Sequence, residues 1–293
     1  MIITGKKFSK PKLSRIINGD DELKAAPERV EKFRLDHLLM EKYPELKRAT
    51  LQKLVKNGLV KVDGEVVLKT SAKFEKTAKI EAKMPGKTVA TPKKIFEDEN
   101  VLVLNKPAGM LSMAKGELCP ETTLEDFGLL VHRLDRDTSG VVILAKNPET
   151  QSFLRKQFQD RKTHKTYFAI VDGEPKLPEA KIDLPIARDL ARPTTFRVDE
   201  DGREAVTFYR TLKTDGEKSL LELKPVTGRT HQLRVHLKYI GNPILGDRVY
   251  NEKSSAARLF LHAASLEITI PGAAGGVRKT FTVPLPEEFE NVF

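Results

Sequence analysis

The spacing of apolar residues changes character along the chain. Residues 1–30 are polar and basic with no sustained period, and they read as an arm. From Phe33 the spacing turns helical. Phe33, Leu35, Leu38 and Leu39 predict a helix that Tyr43-Pro44 ends, because proline pushes the residue before it out of helical backbone. Leu51, Leu54 and Val55 predict a second helix over 49–57, with Gly58 as its stop and Arg48, Lys53 and Lys56 on the opposite face. Leu59 to Val62, an Asp63-Gly64 turn and Glu65 to Val67 read as a hairpin that carries Lys61. This group finishes near Ala82, and Pro85-Gly86 and Thr91-Pro92 mark a linker.

Past the linker, short β-type runs dominate: 101–104, 141–145, 166–171, 206–211, 220–223 and 266–270. Helical spacing interrupts them at 149–159 and from about Gly228 to Tyr239, before Gly241. Strands outnumber helices and do not alternate with them, so an α+β fold with a mixed or antiparallel sheet is expected rather than a doubly wound one. The expected organisation is a basic arm at 1–30, a small α+β module with its linker at 31–90 and a larger α+β domain at 91–293.

Charge sharpens this division. The net charge is +10, yet residues 1–90 hold 21 lysines and arginines against 12 acidic residues, while the rest of the chain holds 30 against 29. A basic block on an otherwise neutral protein points to a polyanion, nucleic acid being the commonest. The single cysteine, Cys119, excludes an intrachain disulfide, and no zinc-type Cys/His spacing is present. The start of the chain lacks the apolar run of a signal peptide, and no apolar stretch is long enough to cross a bilayer. The expected setting is therefore cytoplasmic, with no membrane partner.

Two stretches concentrate chemistry. Val131-His132-Arg133-Leu134-Asp135-Arg136-Asp137-Thr138-Ser139-Gly140 packs two carboxylates, two guanidinium groups and an imidazole against an apolar strand. Charges held there are costly unless paired or used. The second stretch runs from Thr227 to Leu237. On a helix it would place Leu233, Leu237 and Ile240 on one face and Arg234 on a side shared with Thr230 and Thr227. His231 and His236, five apart, fall on different faces, which argues for packing rather than metal ligation. Asp137-Thr138-Ser139-Gly140 is a broken version of the aspartic-protease turn and has no second copy. No phosphate-binding glycine loop is present, so nucleotide-dependent chemistry loses its support.

Four blocks, in order, resemble the RluA-type pseudouridine synthases: Asn105-Lys106-Pro107-Ala108-Gly109, the motif from His132 to Gly140, Lys165-Thr166-Tyr167-Phe168-Ala169, and Thr227 to Leu237 followed by Gly241 to Asp247. Residues 33–82 are similar to the alpha-L RNA-binding module of a small-subunit ribosomal protein. Between Gly109 and Val131, where the family usually has a longer segment with a His-Pro pair, this chain has a short loop around Cys119-Pro120.

The resemblance implies an enzyme that detaches uracil from its ribose, turns it and rejoins it through carbon 5, without cofactor or metal. It places the essential carboxylate at Asp135, the active-site tyrosine at Tyr167, the basic partner of the carboxylate at Arg234, and Arg133 near the extruded nucleotide. A carboxylate suits the positive charge that builds on the sugar. A tyrosine offers a flat face for the base and a hydroxyl near carbon 5. Arg48, Lys53, Lys56 and Lys61 are the expected phosphate contacts of the module. Ribosomal RNA of the large subunit is the favoured substrate, transfer RNA the second, and a monomer is expected. The rival reading is a catalytically silent RNA-binding or ribosome-assembly protein.

Overall fold

The computed structural model describes residues 31–84, 91–114, 119, 121–272 and 275–293. The expected arm at 1–30 and the Pro85-Gly86 part of the linker lie outside the described residues. The chain divides between Lys83 and Met84 into two compact units.

In the first unit, strand β1 (Lys32–Arg34) is followed by helices α1 (Leu35–Lys42) and α2 (Arg48–Lys56). Phe33 thus belongs to a strand rather than to the first helix, because residues 32–34 pair with strand β4 (Lys73–Glu75). Strands β2 (Val60–Val62) and β3 (Glu65–Val66) form the hairpin, and β5 (Ile80–Ala82) pairs with β2. Asp63 and Gly64 both have positive φ, as a tight two-residue hairpin turn requires. Leu35, Leu39, Leu51, Leu54, Val55 and Val60 are fully buried and make the core. Beside them Asp36 is also fully buried. Its carboxylate accepts from Arg34 Nε and Nη2, from Arg48 Nη2 at 2.7 Å and from Gln52. Arg34 foremost, then Arg48 and Gln52, outweigh the burial and hold this carboxyl far below its ordinary range.

In the second unit, ten strands among the described residues make one mixed sheet. In chain order they are β6 (Lys93–Glu97), β7 (Val101–Lys106), β8 (Leu129–Leu130), β9 (Ser139–Ala145), β10 (His164–Asp172), β11 (Glu179–Asp183), β14 (Val206–Thr214), β15 (Lys218–Pro225), β16 (Leu261–Ile270) and β17 (Val277–Thr282). A separate hairpin, β12 (Ile186–Arg188) and β13 (Phe196–Val198), lies between β11 and β14 in sequence. The main path runs β11-β14-β15-β10-β16-β9-β7-β6, with β17 on β16 and β8 on β9. Neighbours are antiparallel except at β9 and β16, which pair in parallel through Ser139 with His262 and Gly140 with Ala263.

Two cores meet at β16. One gathers Ile170, Leu221, Leu223, Leu233 and Leu237 with Leu261, and the other gathers Val103, Val141, Ile143 and Leu154 with Leu266 and Ile268. Helix α3 (Pro148–Gln159) covers the second core. Asn147 caps it by accepting from the Thr150 N–H at 2.9 Å, with proline at the first turn where no amide partner is needed. Helix α4 (Gln232–Tyr239) covers the first core, and the short helix α5 (Glu287–Glu290) follows β17. Helix α4 starts four residues later than its apolar spacing predicts. Gln232 Oε1 accepts from the Arg229 N–H and the Thr227 hydroxyl, holding 227–231 as a turn, and His231 takes left-handed backbone at φ 57°. Thr227 and Thr230 therefore share no helix face with Arg234.

Candidate active site

The segment between β8 and β9 carries Arg133, Asp135, Arg136 and Asp137, and 106–112 grips it. Lys106 is fully buried, and its Nζ donates to the carbonyls of Pro107, Met110 and Arg136 at 3.0, 2.7 and 2.8 Å. Burial pushes its amine down to about 7. Three carbonyls nevertheless use three protons, which only the ammonium form supplies. Ser112 Oγ donates to the Leu134 carbonyl at 2.7 Å and accepts from the Leu134 N–H, and Arg136 Nη2 reaches Glu121 at 2.7 Å. Gly140 ends the loop at φ 120°. A Cβ there would sit 2.1 Å from the Ala263 carbonyl oxygen, so only glycine allows the parallel pairing with β16.

These constraints aim Asp135 into a cleft that Arg133, Lys165, Tyr167, Arg229, His231 and Arg234 also line. The Asp135 side chain is 18% exposed, and its Oδ2 accepts from Arg234 Nη1 at 3.3 Å. The expected pair is therefore present, but it is the weaker of two. Arg234 Nε and Nη2 donate to Asp247 at 2.7 and 2.8 Å, and the Asp247 carboxylate also accepts the N–H groups of Val249 and Tyr250. Burial pushes the Asp247 carboxyl up, but Arg234 and those amides outweigh it and leave it below its ordinary value. Burial likewise opposes the Arg234 charge, and Asp247 and Asp135 more than compensate. The Tyr250 ring lies under the guanidinium at 5.0 Å.

Tyr167 is half-buried on β10, where the pairing with β16 slips between Thr166 and Tyr167. Such a bulge re-aims side chains. Burial first, then the charge of Asp135, push its phenol up, so the hydroxyl keeps its proton at neutral pH. Arg133 is exposed at the cleft, and Lys165, held down to about 8 by burial, reaches the Thr227 carbonyl at 3.4 Å. His132, inside the same motif, packs instead. It stacks on Phe158 at 4.6 Å and its Nε2 accepts the Ile143 N–H at 3.1 Å.

In the first unit Lys53, Lys56 and Lys61 are exposed. Arg48 is bound to Asp36, a bracing contact the sequence reading did not assign to it. Asp247 and Tyr250 were missed as well. Asp247 stands in a recognised block, but its partner is thirteen residues away with no periodic relation to it, and nothing in the spacing marks Tyr250.

The cleft thus joins a carboxylate held by a guanidinium to a half-buried aromatic ring, a pairing suited to an enzyme that binds a planar group beside a reacting carboxylate. A family model described as RNA pseudouridylate synthase matches residues 100–239. The ribosomal large subunit pseudouridine synthase D of Borreliella burgdorferi is 46% identical over 60% of each chain. The dual-specificity RNA pseudouridine synthase RluA of Vibrio parahaemolyticus is 41% identical over 60% of this chain and 77% of its own length. The structure titled Human RNA Pseudouridylate Synthase Domain Containing 1 superposes with a TM-score of 0.56 at 27% identity, over 66% of this chain and 83% of the other. The chain belongs to the RluA family of RNA pseudouridine synthases. Its reaction is the isomerisation of uridine in RNA.

Proposed function

We propose that this enzyme isomerises specific uridines of large-subunit ribosomal RNA, with Asp135 as the reacting carboxylate and residues 91–293 as its catalytic domain. Transfer RNA is the second choice. The observation that carries the reading is the chain Asp247–Arg234–Asp135, which fixes one carboxylate oxygen in the cleft that Tyr167 lines. The name of the Borreliella burgdorferi relative supports the ribosomal substrate.

In this reading the N1–C1′ bond of uridine breaks as Asp135 meets the positive charge at C1′, stabilising it or capturing it covalently. Arg234 keeps the carboxylate aimed. Uracil turns while it is held, and C5 forms the new bond to C1′. Wherever the carboxylate had captured that carbon, the Asp135–C1′ bond breaks in the same step, so that Asp135 is released as the free carboxylate. The C5 proton then leaves and N1 ends protonated, so atoms balance within the nucleoside and water. No group is oxidised or phosphorylated, and the chemistry calls for no cofactor. Tyr167 supplies a face for the base and, as a protonated phenol, a hydroxyl beside C5. Arg133, exposed at the mouth, takes the place of the extruded nucleotide or holds its phosphate.

Extruding a stacked uridine costs about a few kcal/mol. Residues 31–90 offset that cost through phosphate contacts from Lys53, Lys56 and Lys61, with Arg48 in a shared role. The reading takes the enzyme as a monomer acting in the cytoplasm. Among the described residues no helix is long and apolar enough to cross a membrane.

The test is a carbodiimide map of pseudouridine in ribosomal and transfer RNA from cells lacking the protein, complemented by wild type or by Asp135→Asn. A ribosomal site that vanishes and returns only with wild type supports the reading. An unchanged map overturns it in favour of a silent RNA-binding protein.

A further inference from the structure

His231 opens α4 in a conformation that side-chain-bearing residues rarely adopt. Three contacts hold it there. The Tyr250 ring meets its edge at 5.6 Å, the Phe196 ring at 5.7 Å, and the Tyr250 hydroxyl lies 2.9 Å from its Nδ1. The same hydroxyl oxygen accepts the backbone N–H of Phe196 at 2.9 Å, on the β12–β13 hairpin. That hydroxyl, already accepting one hydrogen bond, has its phenolic proton to offer to Nδ1. In the tautomer that accepts this proton at Nδ1 the ring N–H is on Nε2, which lies 3.9 Å from Asp135 Oδ2, the oxygen Arg234 also faces.

We propose that His231 is a positioning residue for the reacting carboxylate: a neutral imidazole, set in its Nε2–H form by Tyr250, that closes on Asp135 Oδ2 when substrate fills the cleft. Arg234 reaches that oxygen from one side and His231 from another. The carboxylate is thereby limited to one rotamer as it approaches C1′, and rotamer control of this kind affects rate more than binding. The separation of 3.9 Å is too long for a hydrogen bond without substrate, and such bonds commonly tighten in the working complex. The β12–β13 hairpin enters the site by the same route, since the Phe196 amide orients the Tyr250 hydroxyl.

The charged and titratable groups facing the ring are Asp135 and Arg133 from the loop, Arg234 on α4, and Asp247 and Tyr250 beyond it. Burial, the largest influence, favours the neutral ring, and Arg234 and Arg133 add to it against the two carboxylates. The inference rests on Asp135 being the reacting group, and the test separates the two.

The experiment has two arms. Nitrogen-15 NMR of histidine-labelled whole protein at pH 7 reports the tautomer of His231 without any substrate. Wild type is expected in the Nε2–H form, and Tyr250→Phe in a mixture. An Nδ1–H or a charged ring in wild type overturns the proposal. In the second arm, large-subunit ribosomal and transfer RNA transcripts carrying tritium at uracil C5 are turned over by wild type, His231→Asn, Tyr250→Phe and Asp135→Asn. Asparagine tolerates left-handed backbone, so His231→Asn removes the imidazole and keeps the turn. Both His231→Asn and Tyr250→Phe are expected to lower kcat about tenfold or more with KM little changed. A raised KM with a lowered melting temperature and unchanged kcat would make His231 a packing residue. If Asp135→Asn is silent while both variants keep wild-type kcat, the His231 assignment alone falls. If Asp135→Asn releases tritium, the reading of Asp135 fails and this inference with it.

Discussion

Asp247 holds Arg234 from behind through two hydrogen bonds of 2.7 and 2.8 Å, and Asp135 receives only the remaining Nη1 at 3.3 Å. The better-bonded carboxylate is the one that does not line the cleft. Buried and satisfied, Asp247 makes the guanidinium a fixed object against which Asp135 is placed.

Replacing that anchor should therefore reach the reaction. Asp247→Asn leaves a buried guanidinium with half its charge compensation, and breaking such a pair costs about 3–5 kcal/mol. Urea unfolding should show a loss of that order, and kcat should fall about tenfold or more as Arg234 drifts. Wild-type turnover in a folded Asp247→Asn protein would mean that Arg234 needs no support.

Asp135→Asn keeps the size of the side chain and removes its charge. Isomerisation should stop while RNA affinity stays within about a few-fold, since phosphate contacts lie elsewhere. Filter binding alongside tritium release checks both, and a large loss of affinity would make Asp135 a structural residue.

For Tyr167→Phe the ring and its stacking survive. Release of the C5 proton should slow with affinity unchanged. Full activity in this variant would leave Tyr167 with packing alone.

Stability should depend on pH through His132 and His262, which burial holds neutral, near 3 and 4 against an ordinary 6.5. The unfolded chain takes up protons below about 6.5 where the folded one does not, so acid favours unfolding. Each histidine then removes about 2 kcal/mol between pH 6.5 and 5. The chain has no tryptophan, and four of its five tyrosines follow Met84, so tyrosine fluorescence in urea reads the second unit. Equal stability at pH 7 and pH 5 would contradict this.

Lys53→Glu with Lys56→Glu tests the first unit. Both side chains are exposed, so folding should be unaffected. The slope of log affinity against log salt should flatten by about 0.7–0.9 for each phosphate that the variant no longer neutralises. An unchanged slope would move the RNA surface elsewhere.

What was legible in the sequence was local. Periodic leucines and the Asp63-Gly64 turn placed α1, α2 and the hairpin, because neighbouring residues alone determine those shapes. The four blocks of the resemblance named Asp135, Tyr167 and Arg234, and the structure brings all three to one cleft. Relations across the chain stayed hidden. Lys106 stands in a recognised block, but its partners include a carbonyl thirty residues away. Strand β6 is lysine-rich and has no clean alternation, so its period carried no signal. Helix α4 began late because the Gln232 side chain sustains a turn that apolar spacing does not register.

The parallel seam between β9 and β16 has a mechanical consequence. Asp135 hangs from the β9 side, while Tyr167, Arg234 and Asp247 belong to the side of β10 and α4, each backed by its own core. A small twist of one half against the other changes the gap between acid and guanidinium long before either core is exposed to water. Mild denaturant should therefore silence the enzyme while its circular dichroism is still intact, the site acting as a strain gauge across the sheet.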